Sequence, residues 1–294
     1  PPQVGLIVPS VGLETNDVNI AFSGTASDSP WGVAAVHWEV FDPDGERVLG
    51  SSQFDEPSAT FGPLSPLSVQ GEYTVRLFAE DRAGNTATTA ERKFRLDTSA
   101  PPMAHYELLT AKSRMLHGDL YMSDVQPRIL VVADDNPNGS GFNAGGSLSI
   151  DVFCDADTEM TQPIDGSVSR TPAIPSTDDG TWTAAWSPSG PMPSGRYYPW
   201  ITIIDDAGNK LERGGPAYRF VIDSDPPEFP DDSSVATIVG KVNTGNGRQF
   251  TNSRRPVITW SVAYDPNLPS GLSGAELPGA GVAGYQLEVW TKLD

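Results

Sequence analysis

The chain has 294 residues and a formal net charge of −19, with 38 Asp+Glu against 19 Lys+Arg. That balance excludes a nucleic-acid binder, because no basic stripe exists to displace counterions from phosphates. A single cysteine, Cys154, excludes an intrachain disulfide, and no apolar run approaches the roughly 18 residues of a membrane helix.

No window sustains apolar spacing of the i, i+3, i+4 kind, whereas alternating runs recur, so the chain reads as all-β. The first clear strand is Ile20-Ala-Phe22-Ser-Gly24-Thr-Ala26, ending at Asp28 and followed by the loop Ser29-Pro-Trp-Gly32. A second strand, Val36-His-Trp38-Glu-Val40, leads into Phe41-Asp-Pro-Asp-Gly45, where Asp-Gly predicts a hairpin turn. Then comes Gly71-Glu-Tyr73-Thr-Val75-Arg-Leu77-Phe-Ala79-Glu-Asp81-Arg-Ala83-Gly84-Asn85, closed by Phe94-Arg-Leu96-Asp97 and Pro101-Pro102. Period-two alternation predicts a strand with one face in a core. Asp81, Gly84 and Asn85 supply the hydrogen-bond acceptor and the permissive backbone of a tight turn.

Met103 to Met122 is the least strand-like stretch, and Leu108, Leu109, Met115 and Leu116 predict a short helix there, or else an irregular lead-in. Pro127-Arg-Ile129-Leu-Val131-Val-Ala133-Asp-Asp135 repeats the first strand, and Leu148-Ser-Ile150-Asp-Val152 the second. Asp155 to Pro193, rich in Pro, Ser, Thr and Asp, reads as an insertion. The hairpin then recurs as Gly195-Arg-Tyr197-Tyr-Pro199-Trp-Ile201-Thr-Ile203-Ile-Asp205-Asp-Ala207-Gly208-Asn209, closed by Phe220-Val-Ile222-Asp223-Ser-Asp-Pro226-Pro227. A shared register with shared end signals marks a repeated unit. Pro199 is out of place in a strand interior unless it lies at an edge or a bulge. A third round begins with Val257-Ile-Thr259-Trp260-Ser-Val262-Ala263-Tyr-Asp265 and Tyr285-Gln-Leu287-Glu-Val289 but contains no Gly-x-Tyr hairpin.

Paired prolines therefore set three modules: 1–100, 101–227 with an insertion near 155–193, and 228–294, which is incomplete, either cut short or completed by another chain. The spacing of short strands predicts β-sandwiches.

The pattern Gly-x-Tyr-x-Val-x-x-x-Ala-x-Asp-x-Ala-Gly-Asn, followed by Phe-x-Leu-Asp-Thr-x-x-Pro-Pro, resembles the bacterial immunoglobulin-like repeats found in tandem in large secreted and cell-surface proteins. The resemblance is strongest at 71–102 and 195–227. It implies tandem immunoglobulin-like β-sandwich modules and an extracellular or cell-surface location. The implied role is a non-enzymatic spacer or adhesive segment that presents another domain, with neighbouring modules of the same chain as first partners. Two alternatives stand beside it. The modules would serve an extracellular enzyme as carbohydrate- or protein-binding accessories, or they would form a self-assembling surface subunit completed by a neighbour's strand.

Within that frame Tyr73 and Tyr197 read as tyrosine corners, and Asp81, Gly84, Asn85, Asp205, Gly208 and Asn209 as turn formers. The sharper chemistry is Ca²⁺, which takes six to eight oxygens. Asp134, Asp135 and Asn136 form one oxygen-dense loop. Asp223 and Asp225, near Asp231 and Asp232, form a second group, and Asp97 beside Asp119 and Asp124 a third. For a glycan, Trp182 and Trp186, read as loop or outer-strand residues with Trp31 and Trp200, offer ring faces for stacking. Trp38, Trp260 and Trp290 read as core residues. His37, His105 and His117 form no zinc-binding spacing. No Gly-x-Ser-x-Gly elbow places a nucleophile. No other cofactor is indicated.

Overall fold

The computed structural model describes residues 1–54, 58–61, 66–89, 91–116, 118–134, 139–142, 146–155, 157, 159–171, 181–215, 217–229, 236–239, 242–243, 249–250, 253–266, 281–282 and 286. Strands without a helix fill this part of the chain. The all-β expectation holds.

The first nine strands are β1 (Gln3–Val8), β2 (Leu13–Thr15), β3 (Phe22–Ser27), β4 (Val33–Phe41), β5 (Arg47–Phe54), β6 (Ser58–Phe61), β7 (Gly71–Asp81), β8 (Thr86–Thr88) and β9 (Arg92–Leu96). They form two sheets, β1-β3-β6 and β2-β9-β7-β4-β5, with β8 also on β7. Strict alternation along β7 turns Tyr73, Val75, Leu77 and Ala79 inward. There they meet Phe22, Trp38, Phe94 and Leu96 in one buried cluster. Burying such side chains contributes roughly 1.5–3 kcal/mol each, and this is what holds two thin sheets together.

The next ten strands repeat the plan: β10 (Met103–Leu109), β11 (Ser113–Leu116), β12 (Asp119–Met122), β13 (Arg128–Asp134), β14 (Ser147–Cys154), β15 (Gly166–Thr171), β16 (Thr181–Pro188), β17 (Gly195–Ile204), β18 (Lys210–Gly214) and β19 (Phe220–Ile222). Their sheets are β10-β13-β16-β15 and β11-β12-β19-β17-β14, with β18 on β17. In both sandwiches a short early strand runs parallel to the last one, Leu13 opposite Phe94 and Leu120 opposite Phe220. The returning limb of each repeated hairpin is split in two, as β8 and β9 or β18 and β19, each piece pairing with a different part of the long strand.

Three expectations change at this level. Met103 to Met122 holds β10, β11 and β12, with no helix among its described residues. Met103, Tyr106 and Leu108 pack on the core, and a register shift between Met103 and His105 reconciles their spacing with the ladder to β13. The stretch read as an insertion, 155–193, carries β15 and β16, and β16 pairs with β13 as β6 pairs with β3. Much of it is therefore the common frame. Pro199 sits inside β17 rather than at the edge of the sheet. The Val152 carbonyl accepts from Ile164 N at 2.7 Å, away from β17, so Val152 and Pro199 form a non-hydrogen-bonded pair. The proline's missing N–H thus faces the gap between β18, which ends with Gly214 opposite Trp200, and β19, which starts with Phe220 opposite Tyr197. No ladder bond is lost there.

Beyond Asp223 the described residues include β20 (Ala236–Ile238) paired with β23 (Ile258–Trp260), and β21 (Val242–Asn243) paired with β22 (Gln249–Phe250). Glu228, just after Pro226-Pro227, bridges Tyr264. That matches the start of the other sandwiches, where Gln3 pairs with Ser27 and Met103 with Ala133. Tyr285 to Trp290, expected as the second strand of the third module, lies outside the described residues.

Candidate functional site at the junction of the first two sandwiches

Each repeated hairpin closes on its own aspartate. Asp81 Oδ1 accepts the N–H groups of Ala83 and Asn85, both at 2.8 Å, while Oδ2 accepts Asn85 Nδ2 at 2.7 Å. In the second copy Asp205 Oδ1 accepts Asn209 N at 2.8 Å and Oδ2 accepts Asn209 Nδ2 at 2.9 Å. Gly84 and Gly208 take φ of 85° and 89°, which only glycine adopts without strain. The amide of Asn85 holds the Asp81 carboxyl below its usual range, helped by the Asn85 and Ala83 backbone N–H groups, against a smaller desolvation effect.

The tyrosines brace the opposite end of the strand. Tyr73 Oη donates to the Val69 carbonyl at 2.8 Å, and Tyr197 Oη to that of Pro193 at 2.7 Å. Their rings stack on Phe94 and Phe220 at 5.2 and 5.5 Å between centroids. Burial pushes the Tyr197 phenol up to about 12, with a smaller contribution from Cys154, and raises Tyr73 as well.

The two hairpins differ in what else they touch. Asn209 Nδ2 also donates to the backbone carbonyl of Asp97, at 2.9 Å, and Asn209 is buried where Asn85 is exposed. Asp97 closes the last strand of the first sandwich, and its carboxylate is fully buried. Oδ2 accepts both the backbone N–H of Ser140, at 2.9 Å, and its hydroxyl, at 3.0 Å. Oδ1 accepts Ser99 N at 3.0 Å. The Ser140 hydroxyl in turn accepts Ala207 N at 3.0 Å, so one hydroxyl joins the exit of one sandwich to the hairpin of the next. Arg95 adds a donor to the Gly139 carbonyl at 2.6 Å. Asp206 fixes the receiving loop, its N–H on the Gly141 carbonyl at 3.0 Å and its Oδ1 accepting Gly146 N at 2.6 Å.

A buried carboxylate is tolerated only when hydrogen-bond donors replace its water, and Asp97 has three. Both of its oxygens are engaged. Chemically the junction is a clasp.

Other sequence-derived sites fall differently. Trp182 and Trp186 do not offer faces to a glycan: they are 6% and 2% exposed and alternate inward along β16 into the second core. The Trp186 indole lies against Gly166, where an added Cβ would come within 2.3 Å of Nε1. Trp200 covers Gly214 in the same way, and only Trp31, 68% exposed, is a bare loop tryptophan among the four. Trp260, expected in a core, is 41% exposed on β23. Trp290 lies outside the described residues.

Of the Ca²⁺ set, Asp134 Oδ1 accepts the Thr181 hydroxyl at 2.7 Å, and Asp223 Oδ1 accepts Asp225 N at 3.3 Å. Asp135, Asn136, Asp231 and Asp232 lie outside the described residues. Asp119, expected beside Asp97, instead binds Arg196 at 2.7 Å and Arg219 in a buried ion cluster. Two guanidiniums occupy the oxygens a cation would need. Among the described residues no group of three or more His, Cys, Asp or Glu side chains is placed to hold a metal. Cys154 packs partly buried against the second core. No described helix is long and apolar enough to cross a membrane.

Residues 7–98 match the family model of a bacterial Ig-like domain. Solved structures with a detectable likeness include the fibronectin(III)-like modules of Clostridium thermocellum CbhA, at 14% identity and a TM-score of 0.33 over 75% of this chain and 94% of that one. The D00-D0 domain of intimin is matched at 10% identity and a TM-score of 0.29, over 75% and 99% of the two chains. The C-terminal domain of the Streptococcus pyogenes antigen I/II-family protein AspA is matched at 8% identity and 0.32, over 72% and 97%. Comparison with curated protein sequences gives no significant match.

Proposed function

We propose, from a leading sandwich that matches the bacterial Ig-like domain family and is clasped to a second one of the same plan, that this chain is a non-catalytic spacer of a bacterial surface or secreted protein. Its work is to hold whatever lies at one end at a set distance and orientation from the other. A spacer with free joints fixes distance loosely, because each flexible residue multiplies the available orientations. Here the joint is built. The observation that carries the reading is the buried Asp97 carboxylate, whose donors come from both sides of the junction. Opening the joint would exchange the two bonds from the Ser140 N–H and hydroxyl to the Asp97 carboxylate for bonds to water, at a net cost of about 1.5–3 kcal/mol each, which favours the closed arrangement over a swinging one.

Residual dipolar couplings measured separately for 3–96 and 103–222 test this directly. One common alignment tensor is expected for the intact chain, and two tensors of different magnitude for Asp97→Ala. Two independent tensors in the unaltered chain would falsify the spacer reading.

A further inference from the structure

A strand at the rim of a sheet presents unpaired N–H and C=O groups to which another chain can add, and folded proteins blunt such edges with bulges, short length, charge or a covering loop. Most edges of the two sandwiches are blunted in this way. β1 has a register shift between Leu6 and Val8, and Arg92 Nη1 donates to the carbonyls of Ile7 and Pro9 at 3.3 and 2.8 Å. β10 has a register shift of its own and carries His105 beside Glu107. β14 is closed by Ile164 N on the Val152 carbonyl, at 2.7 Å, and by Arg170 on that of Leu148, at 2.9 Å. β2 and β11 are only three and four residues long.

β15 has none of these devices. Its ladder to β16 runs unbroken from Gly166–Pro188 to Thr171–Thr183, and among the described residues no strand pairs with its other side. Residues 166–170 are all exposed. The stretch 166–171 holds no acidic residue in a chain of net charge −19. Its one charge, Arg170, turns back over its own sandwich, 5.4 Å from the centre of the Trp182 ring. The direction of the free backbone groups follows from the bond next to the strand. Ser189 N donates to the Asp165 carbonyl at 2.9 Å, so Gly166–Pro188 is a non-hydrogen-bonded pair, as suits a proline with no N–H to give. With the register unbroken, Val168–Trp186 and Arg170–Ala184 are pairs of the same kind. The N–H and C=O groups of Gly166, Val168 and Arg170 therefore point away from β16.

We propose that β15 is the contact edge for a second copy of this chain, paired antiparallel about a two-fold axis through Val168. In that register the strand is its own complement. Val168 of one copy meets Val168 of the other and Gly166 meets Arg170, so every outward N–H finds an outward C=O. Ser167 meets Ser169, and Asp165 meets Thr171. No like charges stand opposite each other, as a contact between two acidic chains requires. Val168, 36% exposed in the single chain, is covered by its equivalent. The two β10-β13-β16-β15 sheets become one continuous sheet. Among the described residues the first sandwich has no counterpart of β15, since β6, in the place of β16, is the last strand of its sheet. This contact goes beyond the spacer reading and does not depend on it.

Sedimentation equilibrium of the full chain tests the contact, at physiological salt and up to about 1 mM, because one added strand buries less than a standard interface. A monomer–dimer equilibrium is expected, and Val168→Pro should weaken it about tenfold or more. That proline is compatible with the fold, since its nitrogen faces away from β16. Val168→Asp and Val168→Lys chains are each expected to be monomeric alone and to pair when mixed. In the unaltered chain, amide exchange at Gly166, Val168 and Arg170 should slow as concentration rises, while Ser167 and Ser169, already bonded to β16, stay unchanged. A chain that is monomeric throughout overturns the proposal and leaves the edge to an extended segment of another protein. A dimer that Val168→Pro leaves intact, or protection that rises elsewhere than at those three amides, overturns it by placing the contact on a different surface.

Discussion

Asp97 and Asn209 lie 112 residues apart in sequence, yet the carbonyl of one accepts the side-chain amide of the other at 2.9 Å. The same amide closes its own turn on Asp205, also at 2.9 Å. A turn residue therefore doubles as the joint between two sandwiches, and the pair Asn85/Asn209 becomes a natural experiment on what the joint contributes.

Asn85→Ala removes only a turn contact, whereas Asn209→Ala removes the turn contact and the junction contact together. Each neutral hydrogen bond contributes about 0.5–1.5 kcal/mol. Asn209→Ala is therefore expected to lower the melting temperature of the second sandwich more than Asn85→Ala lowers that of the first. Calorimetry that resolves the two transitions checks this; equal losses would mean the junction bond contributes nothing.

Asp97→Ala leaves the Ser140 N–H buried without its acceptor and should cost about 1–3 kcal/mol. Asp97→Asn retains an acceptor oxygen but replaces the other with a donor facing N–H groups, so it should be nearly as harmful. Ser140→Ala, which keeps the backbone donor, is expected to be milder than either, and chemical denaturation orders the three.

Trp186→Ala should destabilise the second sandwich by about 3–5 kcal/mol through the cavity it leaves. Gly166→Ala should also destabilise it, by about 1–3 kcal/mol, because the new methyl meets the Trp186 ring. Neither change is expected to alter any glycan contact, since the ring is inside; a glycan array run on the folded Trp186→Phe chain checks that point.

Asp81 and Tyr197 contribute to the pH response in opposite ranges. The Asp81 carboxyl is depressed below its ordinary 3.8, so it binds protons less readily folded than unfolded. Its contribution is present above that value and is lost as pH falls through the lower, folded one. Tyr197 is raised from 10.0 to about 12, so its contribution is complete below pH 10 and is lost as pH climbs through about 12. Denaturation at graded alkaline pH should show that loss, and Tyr197→Phe should reduce it without removing it, since Tyr73, Tyr106, Tyr121 and Tyr198 are raised as well, at a constant penalty of about 1 kcal/mol for the unpaired Pro193 carbonyl.

Alternation and turn chemistry made the frame readable. Tyr73, Val75 and Leu77 could only be one face of a strand, and Asp81 with Gly84 and Asn85 could only be a tight turn. Of the three early strands of the second sandwich, β10 was hidden because Met103 and Tyr106 break period two at a register shift, which local pattern cannot show. Trp182 and Trp186 were misplaced for a different reason: β16 follows a polar, proline-rich run, and composition there outweighed the inward alternation of Trp182, Ala184 and Trp186. The clasp was invisible because Asn85 and Asn209 carry identical local signals. What separates them is the Asp97 that reaches one of them from another sandwich.

Finally, the parallel pairing of an early strand with the last one, Leu13 opposite Phe94 and Leu120 opposite Phe220, bears on what happens when a sandwich is stretched. Tension pulls the early strand backward along its axis and the last strand forward along the same axis. The bonds between them are then sheared together, where antiparallel terminal strands would peel apart one bond at a time. Each sandwich thus resists stretching from end to end more than its marginal size suggests, and it yields by sudden rupture.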